Sequence, residues 1–550
     1  MAGGGPANVL VLHNAWDPES IEIAEYYADA RDIPPGQLCS VTEVDPAALT
    51  ISFTDFETHI QARFRDCMDT LPNPDEIDYI VVTRGLPLRV DIDSGFHTSL
   101  QAMLQVGAGT RTSDGAEIAG LPQALSGGTA YASVYNPLWP GSGGTGDFTI
   151  SNPSANQYTT APKFTQLETQ PRAFRRRNVS ASGGYDLSGQ MFLVSRLDGF
   201  DATDALDLVD RAVAADGSFP EAPITCMAAA DSARGARDPE CAYTIEMLQG
   251  AGIPAQWIGT HDSALSGEEM SAYLTGTTSL QAAIDGNTYV PGTFACNLTS
   301  FGAVPNNFVC DETGEVCPVS ESQTSIVRLV RAGVTGAHGT VAEPLNNSFP
   351  GAGMLLLYTM GYGMIESAQM TQIYLYWQNL YLGDPLTSPW AERPVLRIEE
   401  TDELPINRAL HIEASHPAGV AQLILYANGV RIAEAEGDTL EHWLDGEIGD
   451  TLDLLAVAIA NNEVVLRPGW PAEETLGRPD IQGWTTARIT LAPPAAEPDS
   501  GSPLDTGLAD EEDPAPKDGE RGCACSTGRL PAALGWLPLL LLAARRARAA

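Results

Sequence analysis

The chain has 550 residues, 43% of them hydrophobic, which is enough apolar material for two or three cores and too much for a disordered protein. Thirty Lys and Arg stand against 71 Asp and Glu, a formal charge of -41, and a polyanion of that size repels phosphate backbones, which argues against nucleic acid as a partner. The acidity reads as the solubilising surface of an extracellular protein; no run of alternating Asp suits a calcium loop, and neither a metal nor a cofactor is expected.

From residue 8 short apolar runs alternate with amphipathic stretches, the pattern of βα units around a mainly parallel sheet sandwiched by helices. NVLVLHN reads as a buried strand. Asp17 then offers an N-cap, Pro18 suits the first helical position, and Ile21, Ala24 and Ala28 recur at helical spacing. FETHIQARFRDCM predicts a second helix with Phe56, Ile60 and Phe64 on one face, and DYIVVTRGLPLRV a central strand ending in a Gly-Leu-Pro turn.

A polar, Gly- and Asn-rich region at about 108–190, holding Tyr131, Tyr135 and Trp139, interrupts the rhythm. A loop of that length is either a functional covering loop or partly disordered. Strands resume at MFLVSRLDGF, APITCMAAA and AQWIGT, with DATDALDLVDRAVAA as a helix. TYVPGTFACNLTSFG and VTGAHGTVAEP each read as a strand running into a turn at its carboxyl end, where open α/β sheets place their sites. Tyr374, Trp377 and Tyr381 have helical spacing and read as core, and Asp384 in LGDP reads as tying a turn through its carboxylate.

After Pro394 short alternating strands separated by Gly and Asn turns predict an immunoglobulin-like β-sandwich over 395–492. The expected organisation is an α/β domain over 1–394, this sandwich, an acidic Pro-rich linker over 493–522 and a C-terminal segment over 523–550. The linker composition, PPAAEPDSGSPLDTGLADEEDPAPKDGER, cannot bury a core and reads as an extended spacer.

None of the nine cysteines forms a C-x-x-C pair, which argues against structural zinc. Cys310 and Cys317 flank the polar loop DETGEV with a spacing that suits a local disulfide in an oxidising compartment, and Cys226 and Cys241 are a second candidate pair.

The C-terminus runs from GCACS through the apolar stretch Leu530 to Ala544 to Arg545, Arg546 and Arg548. The stretch is short of the ~20 residues that span a bilayer comfortably, and the basic cluster holds its end in the cytoplasm. Spacer, cysteines, apolar segment and basic stop together resemble the MYXO-CTERM sorting signal of myxobacterial surface proteins. That resemblance implies a short transmembrane segment, cleavage by a sorting peptidase near Cys523 and Cys525, and retention at the cell surface. MAGGGPANVLVLHN has no basic n-region and no long apolar h-region, so export implies a leader upstream of Met1 or one left out.

From Asn8 to about Trp390 the chain resembles a family of uncharacterised bacterial surface proteins, on VLVLHNAWDPESIEIAEYYADARDIP, DYIVVTRGLPLRV, FLVSRLDGFDA, LTSFG, RAGVTGAHGTVAEP and YLYWQNLYLGDP. A T-G turn, an apolar strand ending in Cys, an Ala-Gly-rich strand and then L-G-D-P are also similar to gingipain-type cysteine peptidases of the caspase-like fold. That similarity implies a His in the T-G turn acting as base for the Cys. Here Thr277 stands where the imidazole belongs, while Phe294 to Asn297 match the cysteine segment.

A thiol of pKa ~8.5 needs a neighbouring imidazole or cation to become an efficient nucleophile, and Thr277 is neither. His261 or His338 is the candidate replacement for Cys296; the competing reading makes Cys296 a buried structural thiol. Glu343 is a strand-end acid or cation ligand, or a capping residue before Pro344. The expectation is an exported, surface-anchored protein whose caspase-like domain is non-catalytic and has a binding or envelope role. Its partners are the membrane through its tail, the sorting peptidase and an extracellular ligand; the alternative is a surface cysteine hydrolase using Cys296 with His261 or His338.

Overall fold

The computed structural model describes residues 4–93, 96–106, 178–181, 185–188, 192–280, 284–310, 323–372, 378–400, 402–461 and 480–495. Most of the 108–190 region, with Tyr131, Tyr135 and Trp139, lies outside them, as do Cys317, Tyr374, Trp377 and the whole stretch from 496 to 550. Cys523, Cys525, Arg545, Arg546 and Arg548 fall in that last stretch. Among the described residues no helix is long and apolar enough to cross a membrane.

Apolar runs become strands and amphipathic runs become helices in the order β1 (Val9–Asn14), α1 (Pro18–Ala30), β2 (Leu38–Val41), β3 (Thr50–Ser52), α2 (Ala62–Thr70), β4 (Tyr79–Thr83), β5 (Arg89–Asp93), β6 (Phe96–Ser99) and α3 (Leu100–Val106). Next come β7 (Asn178–Ala181), β8 (Tyr185–Ser188), β9 (Leu193–Leu197), α4 (Ala202–Ala215), β10 (Ile224–Met227), α5 (Asp238–Gly250) and β11 (Ala255–Ile258). β12 (Glu269–Thr275), β13 (Thr288–Asn297), α6 (Ile326–Arg331), β14 (Gly336–Thr340), α7 (Met354–Thr359), α8 (Met364–Met370) and β15 (Asn379–Leu382) complete the first part.

Ten of these strands form one sheet in the order β11-β10-β12-β13-β14-β15-β9-β4-β1-β2. The pairs are parallel except β14 with β15, and β15 in turn runs parallel to β9. The half built from β9, β4, β1 and β2 therefore runs opposite to the half built from β10 to β14. Their carboxyl ends lie at opposite edges of the sheet, so the turns after β12, β13 and β14 lie together at one edge.

Local signals act as the side-chain chemistry requires. Asp17 caps α1 by accepting from the Glu19 N–H, and Asp201 caps α4 by accepting from the Asp204 N–H. Phe56, Ile60 and Phe64 are buried on one face, as their spacing predicts. On α1 the expected stripe is corrected: Ser20, Ile23, Ala24 and Tyr27 are buried, whereas Ile21 and Ala28 are half-buried. The cause is a polar anchor, because the Tyr27 hydroxyl donates to Asp384 at 2.6 Å and Arg31 reaches the same carboxylate, turning that face inward. Asp384 also accepts from the Leu386 N–H, so it ties its turn and holds α1 as well. Tyr381 is buried in the core as expected, but on strand β15 and not on a helix, where pairing with β14 overrides the helical spacing of the aromatics.

β2 is joined to α2 by a Cys39–Cys67 disulfide, across a sequence separation of 28, which spacing alone did not suggest. Cys310 is disulfide-bonded. Cys226 and Cys241 are free buried thiols between β10 and α5, with sulfurs 2.8 Å apart, so the pairing considered for them is not formed.

Beyond Pro394 come β16 (Val395–Ile398), β17 (Glu403–Pro405), β18 (Leu410–Ser415), β19 (Val420–Ala427), β20 (Val430–Glu436), β21 (Thr439–His442), β22 (Thr451–Ala460) and β23 (Gln482–Ala492). They form a three-stranded sheet, β16-β18-β21, and a five-stranded sheet, β17-β23-β22-β19-β20, antiparallel apart from the β17 and β23 pair. Ile398, Leu410 and Ile412 from one sheet share a core with Leu423, Leu425 and Leu454 from the other. The alternate residues Ile424, Tyr426, Leu455 and Val457 face the other way and pack with Ala7 of the α/β part. Covering both faces explains why LILY in β19 is a continuous apolar run and not an alternating one.

Candidate functional site

β13 and β14 are paired so that Cys296 lies opposite His338, and β14 and β15 so that His338 lies opposite Tyr381. Cross-strand partners share one face, and this brings the thiol and the imidazole together. The Cys296 Sγ is 3.6 Å from His338 Nδ1, and His338 Nε2 is 2.8 Å from Asn379 Oδ1. The carboxamide oxygen accepts from Nε2–H and leaves Nδ1 to accept from the thiol. The imidazole is boxed by Phe349 and Tyr381, with ring centroids at 4.9 and 4.7 Å.

Arg237, immediately before α5, closes the end of this cluster. Its Nη1 donates to the Cys296 Sγ at 3.1 Å and to the Pro350 carbonyl at 3.4 Å; its Nη2 donates to the Thr275 and Cys296 carbonyls at 2.8 and 3.0 Å. One turn along α5, buried Glu240 accepts from the Gly353 N–H. Burial raises its carboxyl above the usual range, against the pull of the Gly353 and Ala352 amides and of Arg237.

Cys296 is 1% exposed and His338 0%. Burial pushes the His338 imidazole down to about 3, with the Asn379 hydrogen bond opposing and Arg237 assisting. Burial also raises the Cys296 thiol, although Arg237 pulls it back. Both shifts favour the neutral thiol and neutral imidazole over the thiolate and imidazolium pair that nucleophilic attack requires.

His261 is placed elsewhere: its Nδ1 lies 3.2 Å from the Ala228 carbonyl, beyond the end of β10. Thr277 is buried at the end of β12, where its backbone N–H donates to Asn297 Oδ1 and its carbonyl accepts from Asn297 Nδ2, both at 2.9 Å. Glu343 accepts from the Ser300 hydroxyl at 2.7 Å. The Gln323 carboxamide oxygen accepts from the Thr299 hydroxyl and from the Ser300 N–H, which ties the turn after β13 to the segment before α6. The turns at these strand ends thus hold hydroxyls, carboxamides and Glu343, while the thiol and imidazole are buried.

Arg237 and Asn379 are the members that sequence reasoning missed. Asn379 sits in the quoted YLYWQNLYLGDP segment, whereas ARDPE carries no local sign that its arginine reaches β12 and β13. As for metals, Glu399, His411 and Glu413 bring ligand atoms within 4.8 Å of one another on the three-stranded sheet. There His411 Nε2 lies 3.3 Å from Glu413 Oε1, and that bond raises the imidazole in the manner of a surface ion pair.

No family model matches the chain, and no curated protein matches it. Among solved structures it is similar to one described as "Structure of Protease", at 10% identity and a TM-score of 0.40, over 88% of this chain and 98% of that one. It is also similar to fibronectin(III)-like modules of Clostridium thermocellum CbhA, at 13% identity and a TM-score of 0.13, over 18% of this chain and 96% of that one.

Proposed function

We propose that this is an exported protein anchored at the cell surface, whose α/β domain has the caspase-like architecture but binds a ligand or supports the envelope without cutting peptides, followed by an immunoglobulin-like sandwich. The observation that carries the reading is the burial of the Cys296 sulfur beneath Arg237, beside an imidazole held neutral. A nucleophile must approach its carbonyl to about 3–3.5 Å, and a sulfur without exposed surface has no such approach. The Cys39–Cys67 disulfide supports an oxidising compartment.

The alternative is a surface cysteine hydrolase using Cys296. Its support is the Cys296, His338 and Asn379 alignment, in which an amide orients an imidazole toward a thiol; His261, against the Ala228 carbonyl, has no such contact to recommend it. The two readings separate in an alkylation experiment at neutral pH, with each cysteine followed by peptide mass. Under the proposed reading Cys296 labels no faster than a free thiol and reacts fully only after denaturation. Rapid labelling of the native protein by a peptide-like electrophile, lost in His338→Ala, would establish the hydrolase instead.

A further inference from the structure

A cleft of about 990 Å³ lies between the α/β part and the sandwich, away from the Cys296 cluster. Ile33, Pro34, Leu71 and Pro72 line it from the α/β part, and Tyr426 and Leu455, from the outward face of the five-stranded sheet, line it from the other. Its rim is acidic: Glu25, Asp29, Asp32 and Asp453 line it, and among the described residues the one basic side chain lining it is Arg488, whose Nε lies 3.6 Å from Asp453.

The rim is also pinned open. Asp32 sits in the left-handed backbone region at φ 55, and its carboxylate accepts from Trp484 Nε1 and the Thr486 hydroxyl, both at 3.1 Å. That fixes the spacing between the two walls, as a preformed site at a domain junction requires.

The acidic character does not stop at the rim. A second hollow on the outer face of α1 is lined by Pro18, Ile21, Glu22, Glu25, Tyr26 and Asp29, so Glu25 and Asp29 belong to both hollows. Glu22, Glu25 and Asp29 follow one another at helical spacing and form an acidic ridge about 10 Å long at 1.5 Å per residue. An extended peptide advances about 3.4 Å per residue with alternate side chains on one side, so two lysines or arginines separated by one residue, about 7 Å apart, match the step of about 6 Å from Glu25 to Asp29.

We infer that the cleft and the α1 ridge together form a docking track for an extended basic peptide segment of a partner protein, with alternating lysines or arginines on the ridge and an apolar side chain in the cleft. The inference goes beyond the reading of Cys296 and uses none of its residues. Because the whole chain carries -41, the charge pattern of this track must be separated from that of the molecule.

The test uses a fluorescein-labelled peptide of alternating lysine and leucine and its glutamate counterpart, followed by anisotropy on the full chain at low and physiological salt. The basic peptide is expected to bind with an affinity that falls as salt rises, and the acidic one to fail. Glu25→Gln with Asp29→Asn is expected to weaken binding about tenfold, as loss of two surface pairs implies. Glu413→Gln with Glu441→Gln removes equal charge from the other sheet of the sandwich and is expected to leave binding unchanged. Equal weakening by both double variants, equal binding of the two peptides, or no binding of the basic one overturns the inference. Thiol labelling plays no part in this readout, so such a failure leaves the account of Cys296 standing.

Discussion

At the scale of single residues, the physics of the Cys296 cluster is that of a buried polar group satisfied by its neighbours. Ala295, Cys296 and Asn297 were legible as a strand end because the apolar run TYVPGTFAC meets polar turn residues there, and His338 was legible as a candidate because GAHGT ends another such run. Their contact was not, because it depends on the register between strands 42 residues apart. Arg237 was invisible for the same reason, its three carbonyl partners coming from three separate segments. The burial of His338 has a measurable consequence. Its folded pKa of about 3 lies below the unfolded value of 6.5, so in that window the unfolded chain takes up a proton that the folded chain refuses. The contribution of neutral His338 is therefore complete above pH ~6.5 and is lost as pH falls toward 3. Between pH 6.5 and 4.5 the loss amounts to about 2–3 kcal/mol at ~1.36 kcal/mol per unit. His338→Gln should remove it, so urea titrations across that range should give a shallower pH slope for the variant than for the parent; parallel slopes would place the imidazole in water.

At the scale of elements, punctuation was easier to read than pairing. Strands that are wholly apolar, such as Val9–Asn14 and Tyr79–Thr83, and helices with an Asp cap stand out because each signal lies within a few residues. Short or polar strands, such as Glu403–Pro405 and Thr439–His442, give no periodic run and appear only once their partners hold them. β14 illustrates a tertiary constraint hidden in composition: a Cβ on Gly336 would lie 2.2 Å from the Met364 sulfur and 3.0 Å from the Leu382 carbonyl, so α8 and β15 approach β14 only over a glycine. Among the described residues β2 stands at the end of the sheet, and it is secured covalently to α2 by Cys39–Cys67. Replacing both cysteines by alanine releases a closed loop of this size in the unfolded chain and should cost about 3 kcal/mol. Urea unfolding of the double variant against the oxidised parent reads this directly, and the parent measured in reductant should approach the variant.

At the scale of the whole molecule, a composition change at Pro394 marks a change of fold without a change of compact unit. Contacts keep the described residues up to Ala495 together, and the reason lies in a few polar clamps around an apolar seam. Buried Glu76, in the turn before β4, accepts from the Tyr426 hydroxyl at 2.6 Å and from Arg431 at 3.0 Å, both on the sandwich. Asp32 holds Trp484 and Thr486, and the Arg393 guanidinium stacks 4.7 Å over the Trp484 ring. Each clamp joins residues far apart in sequence, so neither the clamps nor the cleft beside them could be read from the chain; only the continuous apolar run LILY hinted that β19 has two covered faces. A clamp of this kind couples the two parts, because each must be folded to present its half. Glu76→Ala removes the carboxylate that the Tyr426 hydroxyl and Arg431 share across the junction, at a cost of about 1–3 kcal/mol for a buried group losing one hydrogen-bond partner. That cost falls on the junction and not on either core. Calorimetry should accordingly show the parent melting in one transition and the variant, combined with Asp32→Ala, separating into two, the lower belonging to the smaller β-sheet part. A single transition shifted as a whole would mean that the apolar seam of Ala7, Ile424, Tyr426, Leu455 and Val457 alone suffices to join them.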